Sequence, residues 1–149
     1  MKRLSILAAA FALSLSSPAS AADIENEAGC QMYSKFGSSM VDFMLPLTVQ
    51  EFVNMMNGKD PEAFVAMSTS FLSKLDGNDI KTMVALGNDA EAAGQAAGEV
   101  AMQMLISGQA TSSSEVKTIM ESHCNKIGFS QIVANQKKAI QATADNFSR

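Results

Sequence analysis

Apolar residues recur at helical spacing along almost the whole chain after residue 25. They fall three or four positions apart, which places them on one face of an α-helix. Alternation of apolar and polar residues, the pattern of a half-buried strand, never extends beyond a few positions. The pattern therefore predicts an all-α, single-domain bundle of five to six helices around one core.

Capping residues and helix breakers divide this pattern into separate helices. A first helix over residues 25–44 is expected to end before Pro46, because the residue ahead of a proline disfavours the helical conformation. Thr48 and Glu51 then form a capping box for a short second helix. The later boundaries are predicted at N-cap, proline, glycine and loop residues: Gly58, Asp60, Pro61, Gly77, the loop 108–114, Ser112, Gly128 and Ser130.

The last helix is predicted to begin after Ser130 and to bury an apolar stripe along its whole length. The residues expected on the buried face are Ile132, Val133, Ile140, Thr143 or Ala144, and Phe147.

The longest segment, about 79–107, carries a seam of small residues spaced alternately by three and four. We expect one continuous helix here, because the seam is unbroken. The alternative is a break at Gly87, with Asn88 and Glu91 forming a new capping box. The seam residues are Gly87, Ala90, Gly94, Ala97, Gly98 and Ala101.

Two functions are open to this small-residue seam. Small side chains let a neighbouring helix approach closely, and the same absence of bulk can leave a groove or cavity for a ligand. Gly94 and Gly98 also form a G-x-x-x-G pair, which in a membrane favours helix dimers. Charged and amide side chains on the same segment argue against a membrane span. We favour close packing, since protein interiors seldom keep voids.

The N-terminus has the organisation of a secretory signal peptide. Lys2 and Arg3 precede an apolar run over residues 4–15, and a small-residue cleavage site follows. The run is too short to span a bilayer. We expect residues 1–21 to be removed, with cleavage after Ala21 or alternatively after Ala22. Residues 22–149 would then form the helical domain, periplasmic or secreted, in a bacterium.

Composition and charge argue against two classes of function, nucleic-acid binding and membrane insertion. Without residues 1–21, nine basic residues stand against fifteen acidic ones, a net charge of −6. An acidic surface is repelled by nucleic acid and by anionic lipid. We therefore expect no nucleic-acid partner and no stable membrane insertion.

The two cysteines acquire a definite meaning if the chain is exported. In an oxidising compartment a pair of cysteines usually forms a disulfide, and with only two the pairing must be Cys30 with Cys124. The bond would join the first helix to the helix that follows residue 112, so these two helices must be neighbours. Adjacent helix positions do not face each other, so His123 is poorly placed to activate Cys124.

The remaining residues offer little catalytic or metal-binding chemistry. The chain has one histidine and none of the usual nucleotide, metalloprotease or haem motifs. Ten methionines remain after Met1, and Met40, Met44 and Met55 or Met56 could converge. Thioethers bind Cu(I), but no histidine is correctly spaced to complete such a site. We expect no catalytic residues, no metal and no cofactor, and assign the methionines to core packing and an adaptable groove.

These observations favour a non-enzymatic exported protein that binds another exported protein. In plan alone, the small exported helical domain with one disulfide is similar to periplasmic acid-stress chaperones and to some periplasmic immunity proteins. The similarity implies a chaperone-like or an inhibitor-like, immunity-like role. The alternative is a carrier of a small apolar ligand or lipid, with a cavity along the seam over residues 87–101. An enzyme using Cys30, Cys124 or His123 is the third hypothesis.

Overall fold

The computed structural model describes residues 20–149, so most of the predicted signal peptide lies outside the described residues. Seven α-helices follow one another in this part of the chain, with two short 3-10 turns at Ala21–Asp23 and Gly87–Asp89. The helices are α1 (Asn26–Met44), α2 (Val49–Met56), α3 (Pro61–Ser73), α4 (Gly77–Leu86), α5 (Ala90–Ser107), α6 (Ser113–Ile127) and α7 (Phe129–Phe147). The predicted all-α fold is confirmed.

Helix α1 is the centre of the bundle and packs against α3, α4, α5, α6 and α7. Residues on more than one face of α1 are buried. Tyr33, Val41 and Ser34 are each at most 2% exposed. Burial raises the pKa of Tyr33 to about 12, because the charged phenolate is disfavoured where water is excluded. Helix α1 also reaches α4 by an ion pair, in which Nζ of Lys35 lies 2.6 Å from Oδ2 of the buried Asp79.

The predicted disulfide is present and joins α1 to α6. The Cα atoms of Cys30 and Cys124 lie 5.5 Å apart, across 94 positions of sequence. Closing a loop of this length stabilises a fold by about 2–4 kcal/mol in typical proteins. The α1–α6 contact is also the most extensive between any two helices of the described chain, so the covalent bond reinforces a large packed surface.

The segment that we expect to form one helix, 79–107, is two. Helix α4 ends at Leu86, and the next residue, Gly87, has a φ of 56° that is accessible to glycine but strained for other residues. The proposed capping box of Asn88 and Glu91 does not form either. Instead the chain makes a 3-10 turn that carries the Asp89 carboxylate to the backbone N–H of Ala21 at 2.8 Å and to Nζ of Lys137 at 2.8 Å. A buried carboxylate needs a charged or hydrogen-bonding partner, and Lys137 lies in the part of the chain that remains after the expected cleavage.

Several predicted helix ends are confirmed in detail. Thr48 and Glu51 cap each other reciprocally at the start of α2, and Asp60 accepts the N–H of Ala63 at the start of α3. Ser112 accepts the N–H of Glu115, but the Glu115 carboxylate bonds to Thr111, one residue earlier than expected. These bonds satisfy backbone groups that a helix terminus otherwise leaves unpaired.

The predicted start and buried face of the last helix are partly wrong. Helix α7 begins at Phe129, with Gly128 rather than Ser130 at its N-cap. Ile132 and Val133 are buried as predicted, whereas Ile140 is only partly covered. Thr143, Ala144 and Phe147 are exposed, Phe147 by 75%. The amphipathic pattern is real, but α7 extends beyond the helices against which it packs.

The glycine beside the disulfide lets α7 approach α1. The ring of Phe129 is fully buried directly against Gly29, and a Cβ at that position would overlap three carbons of the ring. The N–H of Phe129 donates to Oδ1 of Asn26 at 2.7 Å, on the preceding turn of α1. Close packing here therefore requires glycine for reasons of space.

Gly29→Ala should lower the free energy of unfolding by about 1–3 kcal/mol, the usual result of adding a methyl group to a filled core. Gly77→Ala is the matched control, because nothing lies within 4 Å of a Cβ at the exposed start of α4. We expect that control to be neutral or slightly stabilising. Urea unfolding followed by circular dichroism measures both, and equal stability of the two variants would contradict the packing described.

Candidate functional site

An apolar groove of about 520 Å³ opens at the end of the bundle where α1, α2, α3 and α5 meet. Its surface is almost entirely hydrocarbon and thioether, and five of its lining residues are methionines. The groove is lined by Met40, Met44, Phe52, Met55, Met67, Gly98, Glu99, Met102, Gln103, Ile106 and Ser107. Each of the four helices contributes at least one of these side chains.

Helices α1 and α5 form two walls of the groove. Met40 and Met44 lie one helical turn apart on α1, and Gly98, Met102 and Ile106 are spaced by four on α5. A Cβ on Gly98 would lie 3.1 Å from Sδ of Met40. The glycine therefore lets the thioether of α1 rest against the backbone of α5.

Helices α2 and α3 close the opposite side. The proline turn after α1 and the capping box at Thr48 set the start of α2, whose Phe52 and Met55 face the groove. Helix α3 is anchored to α1 by an edge-to-face contact of Phe36 and Phe71, with ring centroids 4.7 Å apart.

Polar groups occur only along the α5 rim of the groove. Glu99, Gln103 and Ser107 succeed one another at helical spacing on that side. Glu99 is exposed and its Oε1 accepts from Nε2 of Gln136 on α7 at 3.2 Å. The groove thus combines an apolar floor with one acidic edge, a pattern typical of sites that bind an apolar body with a polar flank.

The predicted small-residue seam is buried at all six positions, Gly87 included. Ala90, Ala97 and Ala101 are fully buried, and α5 packs closely on α1 and α7. Only Gly98 also borders the groove. The arrangement favours the close-packing interpretation over most of the seam, while open space is confined to its C-terminal end.

The structure brings together methionines that the sequence only partly connects. Met40, Met44 and Met55 converge as their spacing suggests, and Met67 and Met102 join them from α3 and α5. Met104, two positions from Met102 and so on a different face of α5, is buried in the core. Of Met67 and Met102, only Met102 carries a signal in the sequence of α5, because Gly98, Met102 and Ile106 are spaced by four.

The residues considered for catalysis do not assemble into a site. Both cysteines are fully buried in the disulfide, and His123 is exposed on α6 beside it. Within residues 20–149, no three His, Cys, Asp or Glu side chains are grouped so that they could hold a metal ion. Nor does any helix in this part of the chain have the length and apolarity needed to cross a membrane.

Comparison with known protein families, with curated proteins and with solved structures finds no match for this chain. The groove is therefore interpreted from its own geometry and chemistry.

Proposed function

We propose that this protein is an exported, non-enzymatic binding protein whose methionine groove receives a hydrophobic segment of another exported protein. The observation that carries the proposal is the groove itself. Protein interiors close-pack, so an unfilled apolar space bordered by exposed side chains marks a binding surface more often than a packing defect.

The chemistry of the lining favours a protein segment as the ligand. Methionine side chains are unbranched and polarisable, and surfaces rich in them adapt to partners of different shape. A cleft between helices with an apolar floor also suits an amphipathic helix, which binds by residues at i, i+3, i+4 and i+7. The exposed Ile106 at the mouth extends the apolar floor to the surface.

Export is supported by two independent features. The N-terminal sequence has the basic, apolar and small-residue regions of a secretory signal. The Cys30–Cys124 bond is of the kind that persists in oxidising compartments. We therefore place the working protein in the periplasm or outside the cell, with a chaperone-like or an inhibitor-like, immunity-like role.

A photo-crosslinking side chain at Ile106 tests this proposal in intact cells. We expect that position to form specific adducts with exported proteins, because it lies at the mouth of the groove. Position 84 on α4 is the control, since Val84 is also exposed but does not border the groove. One dominant adduct would indicate an inhibitor, and many adducts would indicate a chaperone. Equal labelling from both positions, or none from either, would contradict the proposal.

The alternative is a carrier of a small hydrophobic molecule or lipid. It is favoured by the volume of the groove, about 520 Å³, which falls in the range of small-ligand sites. A carrier would use the groove next to Gly98, because the rest of the predicted 87–101 cavity is packed.

Native mass spectrometry of the protein purified from the cell envelope checks this alternative. A carrier should retain a bound lipid or other apolar molecule, and Met67→Glu should abolish that retention by charging the groove. A protein that carries no such molecule, with or without the substitution, would contradict the carrier function.

A further inference from the structure

Methionine sulfur is concentrated at the groove. Ten methionines follow Met1 in the sequence, and five of them line this one opening. Leucine is close to methionine in volume and in helix propensity, so an apolar lining alone does not require sulfur. The thioethers add a property that hydrocarbon side chains lack, which is reactivity toward oxidants. We call these five the groove methionines: Met40, Met44, Met55, Met67 and Met102.

The groove gives small oxidants access to these thioethers. It opens to solvent and offers about 520 Å³ to molecules as small as water, and hydrogen peroxide is only slightly larger. Met32 and Met120 have no such access. Both are at most 1% exposed, and the sulfur of Met120 packs against α1 at Gly37. The two sets of methionines therefore differ in their contact with solvent.

Oxidation would change the groove from an apolar to a polar surface. A sulfoxide carries an oxygen that accepts hydrogen bonds. The side chains that α1, α2 and α3 contribute to the lining are all apolar, and the polar ones stand on the exposed α5 rim. An apolar ligand would therefore cover sulfoxide oxygens that have no donor, which is unfavourable.

The attachment of α2 depends on the same chemistry. Among residues 49–55 of this helix only Met55 is buried, and Phe52 is half-buried. A helix of two turns is not stable on its own, so α2 relies on the side chains that it places in the groove. A polar oxygen on Met55 weakens this attachment and alters one wall of the groove.

We propose that the methionine groove is an oxidation-sensitive site, in which oxidants of the peroxide class convert the groove methionines to sulfoxides and thereby release the bound apolar ligand. In each reaction the sulfur lone pair attacks one peroxide oxygen and the O–O bond breaks. The departing hydroxide takes the proton of the transferred oxygen and leaves as water, so sulfur is oxidised by two electrons and the peroxide is reduced. This inference rests on the proposed function, because it concerns the ligand of the same groove.

Peptide mapping by mass spectrometry tests the site of reaction. The folded protein is treated with graded doses of hydrogen peroxide. We expect the groove methionines to become sulfoxides at doses that leave Met32 and Met120 unmodified, because susceptibility follows exposure. Simultaneous reaction of both sets would overturn the proposal.

Binding of a labelled synthetic helix, with apolar residues at i, i+4 and i+7, tests the consequence by fluorescence anisotropy. The oxidised protein should bind it about tenfold or more weakly than the reduced protein, as expected when polar groups are buried without partners. Circular dichroism must show that the oxidised protein keeps its helices. The loss of binding should follow the mapped conversion of the groove methionines at each dose.

Leucine substitution separates oxidation of the groove from oxidation elsewhere. A variant with leucine at all five groove positions keeps the volume nearly constant and should bind the helix equally before and after peroxide. The matched control combines Met32→Leu with Met120→Leu, and its binding should be lost on oxidation as in the unsubstituted protein.

Unchanged binding by a protein whose groove methionines are sulfoxides would overturn the oxidation-sensitive site and leave the proposed function standing. The same conclusion would follow if the leucine variant lost its binding on oxidation. A reduced protein that does not bind the helix also overturns this inference. In that event the adducts from position 106 decide whether the proposed function stands.

Discussion

The packing of α1 against α6, fixed by Cys30 and Cys124, is the constraint on which the rest of the structure depends. The bond joins residues 94 positions apart, and closing so long a loop removes much of the freedom of the unfolded chain. Immediately beside it, Gly29 lets the buried ring of Phe129 pack against α1. One turn of α1 thereby positions both α6 and the start of α7.

The groove follows from this arrangement, because α1 contacts nearly every layer of the bundle. Helix α6 packs along α1 from Cys30 to Gly37 and Asp42, which lie beside Cys124, Met120 and Ser113, while Met40 and Met44 of α1 border the groove together with side chains of α2, α3 and α5. Those three helices bring long, flexible methionines and the small Gly98 to the junction, and together they leave about 520 Å³ unfilled. The disulfide-linked pair α1 and α6 thus forms the packed frame beside which a surface of flexible methionines is left open.

The parts of the fold that depend on residues close together in the sequence could be predicted from the sequence. The capping boxes and the helical periodicity specify most of the helices, and the presence of only two cysteines specifies the one covalent contact. Gly87 is an exception: the seam of small residues runs through it unbroken, yet the chain turns there and places the buried Asp89 carboxylate against Lys137 of α7. Lys137 lies 48 positions away, so no local pattern could reveal this contact.

The groove and the exposed end of α7 likewise depend on contacts between helices that the local sequence does not reveal. Periodicity identifies an apolar face but not the surface that covers it, so the pattern predicts burial of a stripe whose last residue, Phe147, is exposed. Likewise the spacing of Met40, Met44 and Met55 suggests convergence, but only the packing of α3 and α5 adds Met67 and Met102. Both features depend on where whole helices end relative to their neighbours.

The central claim is that the methionine groove is a binding site for an apolar helix, and methionine methyl NMR tests it most directly. The probe is a synthetic amphipathic helix with apolar residues at i, i+4 and i+7. We predict saturable shifts of the Met40, Met44, Met55, Met67 and Met102 methyl resonances. The resonances of Met32 and Met120, which are buried away from the groove, should not move. An unchanged spectrum, or shifts spread equally over both sets, would contradict the account.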